Sequence, residues 1–344
     1  MKTILVTGGA GFIGSNFVRR IYSRYPDYSI IVLDALTYAG FVENLPCDIN
    51  RRADPRLKFW YGDVRNAELV SKLVSQSDVV LHFAAETHVT RSIFDNLRFF
   101  ETDVLGTHVV ANAVLSHASR VERFIHISTS EVYGTAQTPE MEENHPICPM
   151  SPYASAKAGA DRLVYSYWAT YKIPAVIIRP FNNYGPCQHL EKVVPRFITS
   201  CLMNEPLNVH GGGEAERDWL YVEDLCRALD MALHQDMRSL AGEAINVGTG
   251  RSTSIARIAE IICDKMGKSH DLIRYVGERP GQVLRHTSST AKARELLGWQ
   301  PETTFEHGLD KTIQWYANNP KWWEKLLWMR HVPIITEDGR EELH

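Results

Sequence analysis

The stretch Thr7-Gly8-Gly9-Ala10-Gly11-Phe12-Ile13-Gly14 follows the apolar run Ile4 to Val6 and opens a helical pattern. Gly8, Gly11 and Gly14 are spaced as GxxGxxG, a relative of the dinucleotide-binding fingerprint. Glycines there allow a tight turn and let backbone N–H groups approach a pyrophosphate. The helix N-terminus then favours the negative charge. A glycine triplet alone is weak, because turns use glycine for its backbone freedom. Asp34 supplies the context: it closes the second apolar run, Ile30 to Leu33, 20 residues after Gly14. An acidic side chain at that place accepts a hydrogen bond from a ribose 2′-hydroxyl and repels a 2′-phosphate. The pattern predicts NAD rather than NADP, with Phe12 and Ile13 at the opening of the helix also in contact with it.

Further apolar runs follow at Leu57 to Tyr61, Val79 to Phe83, Phe124 to Ile127 and Ala175 to Ile178. They are short and do not alternate, as expected of strands buried on both faces. Helix-length segments separate them, among them Thr102 to Ser116 and Tyr153 to Tyr171. Strands alternating with helices predict an α/β fold, a Rossmann-type doubly wound parallel sheet. After Pro180 the rhythm breaks into a Gly/Pro-containing segment and scattered short pieces. Residues 1–180 are therefore expected to form the NAD-binding domain. Residues 181–344 are expected to form mainly a smaller C-terminal α/β substrate lobe, with some segments packing back on the first. Trp322, Trp323 and Trp328 in the tail suggest a docking face.

Composition narrows the partners. In 344 residues, hydrophobic side chains make up 44% and charged ones 23%, within the globular range. Lys plus Arg number 37 against 41 Asp plus Glu, with no polybasic run, which speaks against nucleic acid as a partner. The six cysteines form no CxxC pair, so no metal site is expected. No stretch approaches the roughly 18 apolar residues of a membrane span, and Met1 to Gly14 does not read as a secretory signal. The expected setting is a reducing cytoplasm.

Tyr153-Ala-Ser-Ala-Lys157 places a phenol and an ammonium at i and i+4, on one helix face. A tyrosine is a poor base at neutral pH. Lowering its pKa by about three units requires roughly 4 kcal/mol of differential stabilisation, which a nearby cation can supply. The preceding strand ends in Ser128-Thr129-Ser130-Glu131-Val132-Tyr133-Gly134, a hydroxyl-rich turn with one carboxylate. Ligands of open α/β sheets bind at that edge. Asp63 and Val64 after the third strand, and Phe83-Ala84-Ala85 after the fourth, fall along the same edge. They are expected to hold the adenine end and to let the backbone lie against the dinucleotide.

With these residues in place, the sequence resembles the extended short-chain dehydrogenase/reductase family, in particular its nucleotide-sugar 4,6-dehydratases and most of all those acting on dTDP-glucose. The resemblance is carried by Asp34 to Gly40, Ala84 to Ser92, Asn182-Asn-Tyr-Gly-Pro186 with Glu191-Lys192, Arg217 to Asp224, and Arg279-Pro-Gly281. It implies tightly bound NAD, contacted also by Leu36, Thr37, Thr102 and Asn183. It further implies that Tyr153 takes the proton of the sugar 4-hydroxyl while hydride leaves C4, with Thr129 hydrogen-bonding that hydroxyl and Lys157 supporting the phenolate. Glu131 would then remove the C5 proton, water would leave C6, and hydride would return there. Substrate contacts carry over to Thr87, Asn182, Lys192, Val193, Leu207, Val209, Arg217, Asn246, Arg279 and Gln282. The resemblance also implies a homodimer built on the Thr102–Ser116 and Tyr153–Tyr171 helices.

The sequence departs from the dTDP-glucose pattern at three places. Ser130 stands where those enzymes carry the Asp that protonates the departing C6 oxygen, Gln282 replaces a His, and His210 replaces an aromatic residue. A hydroxyl is a far weaker acid than a carboxyl. Two alternatives therefore stay open: a UDP-sugar enzyme sharing the C4 oxidation (UDP-glucuronate decarboxylase, or a UDP-GlcNAc 4,6-dehydratase or 4-epimerase), and a non-catalytic NAD-binding protein.

Overall fold

The computed structural model describes residues 2–46, 54–277, 283–335 and 341–343. Six strands form in the first half; most are buried runs rich in Val, Ile and Leu, while β3 at the sheet edge is partly exposed. They are β1 (Thr3–Thr7), β2 (Ser29–Asp34), β3 (Leu57–Tyr61), β4 (Val79–His82), β5 (Arg123–Ile127) and β6 (Ala175–Pro180). Eight further strands follow: β7 (Asn182–Tyr184), β8 (Leu207–His210), β9 (Glu216–Tyr221), β10 (Ala244–Val247), β11 (Ser252–Ser254), β12 (Ile273–Val276) and the paired β13 (Pro333–Ile335) and β14 (Glu341–Leu343). One seven-stranded sheet runs β10-β6-β5-β4-β1-β2-β3, every pairing in it parallel. The order 3-2-1-4-5-6 is that of a doubly wound dinucleotide fold, and its reversal point lies between β1 and β4, above the glycine loop.

The chain after Pro180 is shared between two bodies. β10 extends the large sheet beside β6, and the helix Val222–His234 joins the core beneath it through Leu225, Leu229 and Leu233, together with Phe17, Val18 and Ile21 of the helix Phe12–Arg24. The rest builds a smaller lobe with a three-stranded sheet β11-β9-β7 and a parallel pair β12-β8. Phe197, Leu207, Val209, Ile258, Ile262 and Tyr316 fill its core. Trp323 is buried in that core, and the Trp322 indole N–H donates to Asn44 Oδ1 at 2.8 Å, clasping the first half. Trp328 is 79% exposed and takes no part in this docking.

Two local features aim the reactive groups. The helix leading to Ser116 opens at Asn96 rather than at Thr102, and Phe100–Leu105 within it is wound as a π-type stretch. Such a stretch adds a residue to the register and is frequent at functional sites. Pro152–Tyr171 opens one residue before the expected Tyr153, with Ser151 capping the Ala154 N–H at 3.1 Å and Pro152 in the first turn. Below it, Asp161 accepts two hydrogen bonds from Arg179 of β6, at 2.8 and 2.9 Å, and one from Ser128 Oγ at 2.7 Å. Arg179 also donates to the Tyr133 hydroxyl at 2.7 Å. Strand, helix and turn are thereby held by one buried pair. Asp161→Ala leaves the Arg179 charge buried without its partner. We expect a loss of about 3–5 kcal/mol in unfolding free energy, read from the urea midpoint.

Candidate active site

The glycine loop is built for close approach. Gly8 has φ +68°, and a Cβ there would lie 2.6 Å from the Ala84 nitrogen. One on Gly14 would lie 2.3 Å from Gly8 O. No side chain caps the helix that starts at Phe12, so its first N–H groups remain open to an anion. Asp34 is held between the Ala10 N–H at 2.9 Å and the Leu36 N–H at 2.8 Å. A groove of about 350 Å³ runs over this cradle. It is lined by Gly8, Gly11, Phe12, Ile13, Gly14, Asp34, Thr37, Asp63, Val64, Phe83, Ala84, Ala85, Thr102 and Asn183. Leu36 alone of the cofactor set is not on the wall; its role here is to turn the chain at φ 47° and to hold Asp34. These residues fit a dinucleotide.

Thr129, Glu131, Tyr153 and Lys157 share the far end of the same groove. Lys157 Nζ donates to Ile127 O at 2.7 Å, which fixes the ammonium under the end of β5. Burial draws its pKa down, while the carboxylates of Asp103 and Asp161 hold it up. Burial pushes the Tyr153 phenol up and the charge of Asp103 adds to this, whereas a hydrogen bond with Thr129 acts in the opposite sense. Ser130, the remaining residue of the predicted catalytic set, is not on the cavity wall. Its side chain is buried, and its Oγ lies 3.3 Å from His286 Nδ1.

A second cavity of about 170 Å³ joins the groove, with Glu131, Asn182, Asn183 and Lys192 on both walls. Val193 and Arg217 belong to the second cavity, and Thr87 to the first. The Oδ1 atoms of Asn182 and Asn183 are buried with no protein donor, as acceptors kept for a ligand would be. The side chains of three expected substrate contacts lie on neither cavity wall. Leu207 and Val209 face the lobe core, and the alternate residues of β8, Asn208 and His210, line the cavity instead. Asn246 is fully buried away from both cavities, where it accepts from the Tyr133 hydroxyl at 2.8 Å and donates to Met141 O at 2.9 Å. Arg279 and Gln282 lie outside the described residues. Among the described residues, no group of His, Cys, Asp and Glu side chains is placed to hold a metal ion.

The sequence reading missed two buried ionisable groups beside the site. His286 touches the active-site turn from 156 positions away. Asp103 sits on the π-type stretch, where a helical acid ordinarily reads as a solvated one. One of its oxygens accepts the Glu86 N–H at 2.8 Å and the other has no partner. Burial raises the Asp103 carboxyl to about 7, against the opposing charge of Lys157. Asp103→Asn removes an anion that disfavours the Tyr153 phenolate. The acidic limb of the pH–rate profile that reports Tyr153 ionisation should move to lower pH; an unmoved limb would show that Asp103 does not act on Tyr153.

The geometry agrees with the likeness to known proteins. The family model described as GDP-mannose 4,6 dehydratase matches residues 5–312. The Low-salt glycan biosynthesis protein Agl12 of Haloferax volcanii is 44% identical over 92% of this chain and 99% of its own. A dTDP-glucose 4,6-dehydratase of Streptomyces niveus is 41% identical over 94% of this chain and 95% of its own. The crystal structure of the dTDP-glucose 4,6-dehydratase DesIV from Streptomyces venezuelae, which has NAD bound, matches with a TM-score of 0.88 at 40% identity, covering 94% of this chain and 99% of that one. With its glycine cradle, Asp34, and Tyr153 and Lys157 in one groove, the chain belongs to the extended short-chain dehydrogenase/reductase family as an NAD-dependent nucleotide-sugar 4,6-dehydratase.

Proposed function

We propose that Tyr153, Thr129 and Glu131 carry the two halves of this dehydration and that the substrate is a dTDP-hexose, dTDP-glucose first. The observation that carries the reading is that Glu131 stands on the walls of both cavities, next to Thr129 and Tyr153 on the cofactor side. NAD bound in the groove supplies the hydride acceptor for C4 and the hydride donor for C6. Tyr153 takes the 4-hydroxyl proton while Thr129 orients that hydroxyl, and the Lys157 ammonium favours the phenolate. Positioned proton transfer of this kind contributes about 10²–10⁴-fold. The ketone at C4 acidifies the C5 proton, which Glu131 removes as the C6 oxygen departs. Asn182, Lys192 and Thr87 contact the sugar and phosphates, Val193 packs against them, and Arg217 binds the diphosphate through a planar guanidinium suited to it.

The division of labour assigns the NAD site to residues 1–180 and the sugar-nucleotide site mainly to 181–344. Tyr165 and Tyr171 on the Tyr153 helix and Ile93, Phe94, Leu97, Phe100 and Leu105 on the helices beside it are exposed, and an apolar face of this kind supports pairing with a second copy. The five described cysteines are free, which accords with a reducing, cytoplasmic setting.

A second reading, UDP-glucuronate decarboxylation, is favoured by one observation: buried Arg217 lines the second cavity together with Glu131 and puts a cation where a sugar carboxylate would need it. Incubation in deuterated water with dTDP-glucose, UDP-glucose, UDP-GlcNAc and UDP-glucuronate separates the two. We expect loss of one water from dTDP-glucose with a solvent deuteron at C5. Loss of CO₂ from UDP-glucuronate would support the second reading, and four unchanged sugars would contradict both. Light scattering should give twice the chain mass; a monomer would remove the pairing.

A further inference from the structure

Ser130 does not face the cavity, so the group that protonates the departing oxygen must be found elsewhere. His286 is fully buried directly behind the turn. Its Nε2 lies 2.8 Å from Gly134 O, which can only accept, so Nε2 carries the proton and Nδ1 presents its lone pair. That lone pair can accept from the Ser130 hydroxyl, whose Oγ is 3.3 Å away; Glu131 Oε1 lies 3.9 Å from Nδ1, beyond hydrogen-bond distance. The imidazole cannot easily turn. Its backbone N–H donates to Glu216 O at 3.1 Å, and the flanking residues Arg285 and Thr287 accept from Ala136 and Met141 at 3.1 and 2.8 Å. Gly134 is equally fixed: a Cβ there would meet Cys148 O at 2.1 Å, and its φ is +68°.

We propose that His286 is the positioning residue of the elimination step: its Nδ1 accepts from Ser130 Oγ and its Nε2–H donates to Gly134 O, so that it clamps both ends of the turn that carries Glu131, while Glu131 serves as both base and acid. This rests on the dehydratase reading above. In the step, the C5–H bond breaks toward Glu131 and its electron pair becomes the C5–C6 double bond. The C6–O bond breaks, and the proton held by Glu131 passes to the departing oxygen as water. The Glu131 carboxylate is restored and His286 stays neutral throughout.

The groups facing His286 fit this role. Burial keeps the imidazole below its ordinary pKa and Arg217 adds to that, while Glu131, the Gly134 carbonyl and Asp218 act in the opposite sense. A neutral imidazole at neutral pH follows from this, and so does a sign: as pH falls through the His286 pKa, Nδ1 gains a proton, the acceptor is lost and water loss slows.

Two substitutions test the proposal in the NAD-loaded enzyme. His286→Leu removes the acceptor; His286→Asn keeps one near the position of Nδ1. In quenched single turnovers of dTDP-glucose, His286→Leu should slow water loss by roughly 10-fold, the worth of one neutral hydrogen bond. C4 oxidation should keep its rate, so the keto sugar that has not lost water builds up. His286→Asn should recover most of the loss, and the acidic limb of the water-loss profile should vanish in His286→Leu. Parallel loss of oxidation and water loss, or no change in either, would overturn the proposal. If the wild-type protein dehydrates no nucleotide sugar, the dehydratase reading has failed instead. Nitrogen NMR of the imidazole then decides for His286 separately. A bare Nδ1 whose shift responds to Ser130→Ala supports its clamping role, and a protonated Nδ1 at neutral pH overturns it.

Discussion

The reaction centre depends on one buried ion pair. Arg179 and Asp161 are almost wholly removed from water, and each charge would be costly there without the other. Their fork-to-fork geometry leaves further bonding capacity for Ser128 and the Tyr133 hydroxyl, which bracket the Thr129–Glu131 turn. The opposing charges hold Asp161 well below the usual carboxylate range despite its burial. The pair is therefore ionised throughout the working range. The turn cannot shift without disturbing the helix that carries Tyr153 and Lys157, so the two catalytic elements keep one geometry.

A second buried carboxylate joins the two halves of the chain. Glu191, from the loop after β7, accepts from the Tyr38 hydroxyl at 2.9 Å and from Arg91 at 3.0 Å. His189 and His88 lie 3.8 and 4.0 Å away. Burial alone would raise the Glu191 pKa; the surrounding cations outweigh it and bring it to about 2. Tyr38 follows β2 and Arg91 follows β4, so the cluster ties the lobe to the C-terminal edge of the sheet, where open α/β folds bind their ligands. Glu131 sits at the seam this creates, and the chemistry falls where the two cavities meet.

Much of this arrangement is legible in the chain because it is local. The glycine loop, Asp34 and the Tyr153/Lys157 pair each lie within one turn or one helix, and their spacing is set by helix and strand periods. Which residues of β8 turn a side chain to the cavity is not legible, because the strand has only four residues and its sequence does not say which face meets the core. Asn246 looked available for a ligand, yet its hydrogen bonds go to Tyr133 and Met141, more than 100 positions away. Asp103 and His286 could not be found from spacing. One is turned inward by a π-type stretch, and the other reaches the turn through a long-range contact. The departure at Ser130 was visible, while the group that stands behind it was not.

The central claim is that one site oxidises C4 and returns the same hydride to C6 within a single bound sugar. A crossover experiment tests it most directly. An equal mixture of dTDP-glucose deuterated at C4 and dTDP-glucose carrying only carbon-13 in the hexose would be converted and analysed by mass spectrometry. Deuterium found at C6 solely in molecules without carbon-13 is the predicted result. Deuterium at C6 of the carbon-13 molecules, lost to water or retained at C4 of the product, would contradict it.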